Sequence, residues 1–178
     1  MNITKRSFFS VTIIALFSAC NQNAEKENTA QVDTLLSVPS IELVLTDTSA
    51  NDAFKCYENL KDVLVKSNAA EAQKAAAELS LALSKVKGNE NAVILANKIA
   101  ASTDLSDQRK NFTALSNDAI NIFKRSEISA GSIYVQYCPM ANEGEGAYWL
   151  SSKEEIMNPY YGDEMLHCGE VKETIAKK

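Results

Sequence analysis

From Thr48 to Arg125 apolar side chains recur every three or four residues; from Ile133 onward they recur every two. The first period belongs to helices with one buried face, the second to strands. The stretch 48–125 contains neither Pro nor Gly except Gly88, so few breakers interrupt the helical pattern. Phe54, Tyr57, Leu60 and Leu64 line a first helix over 51–66, with Cys56 and Val63 beside the same face. Buried cysteine behaves as a small hydrophobe, and Cys56 is read that way. Asn68 followed by Glu71 fits a capping box opening a second, alanine-rich helix with Leu79, Leu83 and Val86 on one side. Lys85, Lys87 and Gly88 close it. Ala92, Leu95, Ala96 and Ile99 predict a third helix over 91–101. Asp104 caps a fourth, running to about Arg125 with Phe112, Leu115, Ala119, Ile122 and Phe123 inward. Short connections make neighbours antiparallel, which predicts an up-and-down bundle of about four helices. The charged positions, among them Lys61-Asp62 and Arg109-Lys110, are expected on solvated outer faces.

Gly131 ends the helical regime. Ile133, Val135 and Tyr137 then alternate with Tyr134, Gln136 and Cys138, a strand that Pro139 stops because it has no N–H for a ladder. A turn over 142–146 leads to a second strand over 147–150, giving a β-hairpin. Ser151-Ser152-Lys153-Glu154-Glu155 carries two overlapping capping boxes and predicts a brief helix. Asn158-Pro159 and Tyr161-Gly162 are turn chemistry, and 170–175 returns as a strand or a short helix. The fold class expected is mainly α (α+β): an antiparallel bundle over 48–126 bearing a small irregular β segment over 131–175.

The first residues follow another logic. Lys5 and Arg6 precede an apolar run from Phe8 to Phe17, shorter than the ~20 residues that span a bilayer. This is the layout of a secretory signal over residues 1–19. Ser18-Ala19-Cys20 resembles a lipobox, so Cys20 is expected to be acylated and to hold the protein on a membrane. An ordinary signal cleaved near Ala19 is the alternative. Residues 20–47 read as a lipidated tether: Asn21 to Asn28 is polar and aperiodic, with too little apolar surface to offset the entropy of ordering. Ile41-Glu42-Leu43-Val44-Leu45, at its end, suits a strand or strap docking on the domain. About 130 residues remain for one folded domain, 48–178. Asp33-Thr34-Leu35 resembles a short O-glycosylation signal of some bacterial envelopes.

The net charge of −5, with no basic stripe, argues against a nucleic-acid partner. A signal implies an oxidising compartment: cell envelope, lipid-anchored, facing the periplasm or the cell surface. With Cys20 acylated, Cys56, Cys138 and Cys168 are left, and at most one intrachain disulfide can form.

The run Tyr137-Cys138-Pro139-Met140-Ala141, with Trp149-Leu150-Ser151, Asn158-Pro159-Tyr160, Gly162-Asp163, Met165 and Cys168-Gly169-Glu170-Val171, resembles domain-of-unknown-function family 3347. Leu60-Lys61-Asp62-Val63-Leu64-Val65 is similar to it as well, and the resemblance extends from Ala53 to Ile175. His167 and Cys56 stand outside the family pattern. The resemblance implies small exported lipoproteins, or extensions of adaptor subunits of heavy-metal efflux pumps. What it implies is a setting of copper or heavy-metal handling with efflux components as partners, and no settled activity.

The residues themselves leave alternatives open. Thiolate and thioether are soft ligands suited to Cu(I), so Cys138, Met140, Met165 and Cys168 form a candidate metal site, with His167 as a further ligand. Two thiolates with His167 and Asp163 or Glu164 would make a zinc tetrahedron. Cys138 and Cys168 bridged as a disulfide would be structural instead. Catalysis ranks last: one histidine serves the whole chain, and no glycine loop precedes a helix to cradle phosphate. Two non-enzymatic readings follow, a lipid-anchored copper-binding accessory protein and an interaction module braced by a Cys138–Cys168 disulfide.

Overall fold

The computed structural model describes residues 41–177. The expected signal, the acylation of Cys20, the glycosylation signal and most of the tether lie outside the described residues. Four helices carry the architecture: α1 (Thr48–Val65), α2 (Ala69–Leu83), α3 (Glu90–Ala101) and α4 (Leu105–Phe123). Each packs on the next in sequence, and α4 returns to α1. Three caps set their starts. Asp47 Oδ1 accepts from Ala50 N at 2.8 Å, Asn68 Oδ1 from Glu71 N at 3.1 Å and Asp104 Oδ1 from Asp107 N at 2.8 Å. The Asp47 cap is why α1 begins three residues ahead of the expected Asn51. Only half of the capping box at Asn68 forms, because the Glu71 carboxylate turns to Lys74 Nζ at 2.8 Å.

The apolar faces fall where the period puts them. Phe54, Tyr57, Leu60 and Leu64 are buried, as are Ala92, Leu95, Ala96 and Ile99, and the five inner residues of α4. Two charged positions do not follow the expected solvated face. Lys61 is buried, its Nζ 2.6 Å from Asp62 Oδ1, and the half-buried Arg109 guanidinium bonds the carbonyls of Leu64 and Pro159. Lys61 lines a cavity with Ser151 and Met157 of the C-terminal segment, and Arg109 follows the buried Gln108 and bonds Pro159 there.

Strand β1 (Val44–Leu45) pairs antiparallel with β2 (Ile128–Ala130), bringing the end of the tether onto the domain with Leu43 and Leu45 buried. Gly131 holds this crossing: its φ is +72°, and a Cβ would lie 2.7 Å from Leu43 Cα. The second sheet has the order β4-β3-β5, from β3 (Ser132–Cys138), β4 (Ala147–Ser151) and β5 (Glu170–Ala176), all antiparallel. The expected hairpin is therefore two strands of three, and 170–175 resolves as strand.

Both faces of β3 are used. Ile133 and Val135 are buried on one; Gln136 and Cys138 are buried on the other, beside Trp149 and Ala147 of β4. Residues 152–169 cover that second face, and they do not contain the helix expected at 151–155. Gln136 Nε2 donates toward the carbonyls of Lys153, Glu154 and Glu155 at 3.0, 3.0 and 3.1 Å, its two N–H groups shared among the three. Ser152 N donates to Glu58 Oε1 at 2.7 Å, and Lys153 N to Ser151 Oγ. Residues 152–155 form a bend held by these bonds to Gln136, Glu58 and Ser151, in place of a helical turn.

An aromatic seam joins the bundle to the sheet. Tyr57 stacks on Phe112 at 5.3 Å, Phe112 meets Tyr160 at 5.9 Å, and Tyr160 meets the edge of Trp149 at 6.0 Å. Its hydroxyls are paired. Tyr57 OH lies 2.7 Å from Ser116 Oγ and accepts from Leu150 N at 3.2 Å, while Tyr160 OH donates to Tyr148 O at 2.6 Å. Burial raises both phenol pKa values well above the ordinary tyrosine range.

Candidate functional site

Cys138 is the last residue of β3, fully buried because its side chain falls on the face shared with Trp149. Pro139 then turns the chain away, as its missing N–H requires. Cys168 arrives from the other direction, two residues before β5 begins at Glu170. Its Sγ lies 2.9 Å from Cys138 Sγ, and it remains partly exposed. The hydrogen bond to Cys138 pushes the Cys168 thiol above its ordinary value, and burial adds to the shift. The candidate ligands thus fall into a first corner, Cys138 and Met140, and a second, Met165 to Cys168, which meet at their cysteines.

Asn158 organises the second corner. Its Nδ2 donates to Cys168 O at 3.1 Å, its N–H to Leu166 O at 2.8 Å, and its Oδ1 accepts from Tyr160 N at 2.8 Å. Gly169 lets the chain pass beneath the sheet. A Cβ there would lie 2.9 Å from both Trp149 Cη2 and Tyr137 O, and its φ is +146°.

Arg109 fastens this loop to the bundle. Nε donates to Pro159 O at 2.9 Å, and Nη2 to Leu64 O at 3.1 Å and Ser67 Oγ at 2.9 Å. Burial pulls the guanidinium below its usual value, with Glu164 acting in the opposite direction. Tyr161 OH donates to Met140 O at 2.6 Å and ties the first corner to the second.

The remaining candidates are placed as follows. Met140 is about half exposed, at 52 %, Met165 is partly exposed, and His167 is exposed with Nδ1 3.0 Å from Ile156 O. Asp163 lies in a shallow cavity with Lys61 and Leu166, and Glu164 in a different one with Arg109 and Tyr161. Among the described residues no three of His, Cys, Asp and Glu converge as metal ligands, so the zinc tetrahedron is not assembled. The donor chemistry of the sulfur pair suits a soft ion. Its spacing suits a covalent bond better. Two thiolates on a tetrahedral metal at bonds of ~2.3 Å stand roughly 3.8 Å apart, so metal uptake requires the pair to open.

Arg109, Gln136 and Asn158 were not singled out in the sequence as site residues. A signal existed for two of them. Arg109 lies four residues after Leu105 and three before Phe112, on the margin of the inner face. Gln136 is a polar residue inside a strand that is otherwise apolar or aromatic.

The family model described as "Protein of unknown function (DUF3347)" matches residues 53–131, which is the family the sequence resembles. The match runs from α1 to β2 and ends before β3, so the sulfur pair lies beyond the matched residues. No curated protein and no solved structure matches the chain.

Proposed function

We propose, for a chain with a DUF3347 match across its helical bundle, an envelope lipoprotein held to a membrane through Cys20, whose Cys138–Cys168 corner takes up soft, copper-like ions as an accessory to heavy-metal efflux or homeostasis. The observation that carries this reading is the meeting of two thiols 30 residues apart at 2.9 Å. One is buried and the other reachable, with Met140 two residues from the first and Met165 three from the second. Cys138 and Cys168 would hold the ion as thiolates. The thioethers of Met140 and Met165 and the imidazole of His167 are the nearest further donors in sequence. A bound soft ion would supply charge neutralisation at a buried dithiolate, and no catalytic step is assigned.

Titration of the reduced full chain with Cu(I) against a competing chelator tests this. One equivalent is expected, Cys138→Ser removes most of the affinity, and Met140→Leu weakens binding with stability nearly unchanged, since volume and apolarity are kept. Absence of binding by reduced protein defeats the metal reading. The tether reading is separate: intact mass of the mature protein should show a diacylglyceryl cysteine at residue 20.

The sulfur spacing also favours a second reading, an interaction module braced by a Cys138–Cys168 disulfide. A bridge closing a loop of ~30 residues contributes about 3–4 kcal/mol in the chain-entropy model. In that case Cys138→Ser lowers the melting temperature of oxidised protein, and copper has no effect in either redox state.

A further inference from the structure

The two thiols are unequal, and that inequality has a chemical consequence. Cys138 Sγ is sealed on the inner face of β3, under residues 152–169 and beside Trp149. Cys168 lies at the mouth of the same corner and is partly exposed. Thiol–disulfide exchange needs the attacking and attacked sulfurs in line and within contact, so an external sulfur can reach one member of the pair and not the other.

We infer that Cys168 is the exchange residue of this protein, the point at which an exported thiol–disulfide exchange partner opens and closes the Cys138–Cys168 pair, and that Cys138 is the resolving thiol. In closing, the Cys168 thiolate attacks one sulfur of a partner disulfide. That S–S bond breaks, and the first partner thiolate leaves with the proton that Cys168 gave up. Cys138, 2.9 Å away, then loses its proton and attacks Cys168 Sγ. The mixed disulfide breaks, and the second partner thiol departs with that proton. Two protein thiols are oxidised and one disulfide is reduced to two thiols. In opening, one thiolate of a partner dithiol attacks Cys168 Sγ and expels Cys138, which takes up the proton that thiol released. The partner's second thiol then attacks the partner sulfur of the mixed disulfide, its proton passes to Cys168, and the partner leaves as a disulfide. The inference rests on the exported setting proposed above and does not depend on metal binding.

Cys56 is a natural control. It is comparably half-buried, on α1, and neither of the other two cysteines among the described residues lies beside it. Its thiol is raised by burial first and by Glu78 and Asp52 next. A mixed disulfide formed there has no resolving thiol among the described residues.

The test uses reduced full-length protein and oxidised glutathione, with acid quenching, alkylation and peptide mass mapping over time. In wild type, glutathione should appear transiently on Cys168 and give way to the Cys138–Cys168 bridge. In Cys138→Ser the adduct on Cys168 should persist. In Cys168→Ser, modification of Cys138 should be slower than that of Cys168 in Cys138→Ser by about tenfold or more, since access limits exchange. Early adducts on Cys138 in wild type, or equal rates in the two variants, overturn the inference. If either variant fails to fold, the wild-type time course still decides it. The copper titration is independent: a chain that exchanges through Cys168 and binds no copper keeps this inference and loses the metal reading.

Discussion

The bundle and the C-terminal segment are held by different kinds of bond. From Thr48 to Phe123 most backbone groups are satisfied within their own helices and apolar stripes do most of the packing, while Gln73, Gln108 and Arg109 each reach a carbonyl near the end of a neighbouring helix. From Ser132 to Ala176 side chains reach across the fold for backbone atoms. Gln136 bonds three carbonyls, Asn158 holds the segment before Cys168, Arg109 holds Pro159 and Tyr161 holds Met140. At its apolar inner positions the bundle is expected to accept side chains of similar volume and apolarity. The C-terminal segment depends on individual polar groups with several partners each, so loss of one strands its partners in a dry interior. The difference fits their roles: one region supplies volume and rigidity, the other aims two sulfurs at each other.

The largest expected effect is a charge in the bundle core. Leu60→Asp should cost about 3–5 kcal/mol, because an uncompensated carboxylate is buried, and Ile122→Asp should act likewise. Both wild-type residues are buried, at 0 and 6 % exposure. Urea denaturation measures the loss. Near-wild-type midpoints for both would mean that packing does not hold the bundle.

A smaller effect is expected at high pH, and it bears on whether the two regions melt together. Tyr57 belongs to α1 and Tyr160 to the C-terminal loop, yet burial raises both pKa values in the same seam. The folded state therefore binds protons that the unfolded state releases. Stability is complete below the unfolded tyrosine value of about 10 and declines as pH rises above it. Helical ellipticity and Trp149 fluorescence followed against pH should fall together. Separate transitions would show that the seam does not couple the regions.

Next in size is Gln136→Leu, which leaves three carbonyls without their donor and should cost about 1–3 kcal/mol. Hydrogen exchange should place the loosening in β3 and β4. Uniform loosening that includes α2 and α3 would erase the distinction between the regions.

The smallest effect is at a cap. Asn68→Ala removes the acceptor for Glu71 N and should cost about 1 kcal/mol, read as a modest shift in midpoint. A loss as large as that of Gln136→Leu would show that local polar bonds weigh as much in the bundle as in the sheet.

Much of this was legible in the sequence, unevenly. The helical faces followed from the spacing of Phe54, Tyr57, Leu60 and Leu64 and of the α4 residues, because a helix presents its own i, i+3 and i+4 neighbours whatever surrounds it. The caps at Asn68 and Asp104 are equally local. The meeting of Cys138 with Cys168 was readable only as an expectation, two soft donors that could share an ion or form a bridge. The helix expected at 151–155 was a local reading overruled at a distance. Its capping residues are present, but the segment is a bend whose carbonyls converge on Gln136, 17 residues upstream of Lys153. Lys61 and Arg109 misled for a related reason, since a charge beside an apolar stripe is solvated or buried according to what packs over it.

The sequence by itself determined the four helices, the alternating strand that Pro139 ends, and the family that residues 53–131 match. Each depends on period, cap chemistry or residue identity, which act within a few neighbours. Only the tertiary structure decided that residues 152–169 fold over the face of β3, that Arg109 clamps Pro159, and that one sulfur is sealed while its partner stands at the surface. Those outcomes are competitions for backbone hydrogen bonds and for burial between segments far apart in the chain. Local residue patterns do not resolve such competitions; the packed fold does.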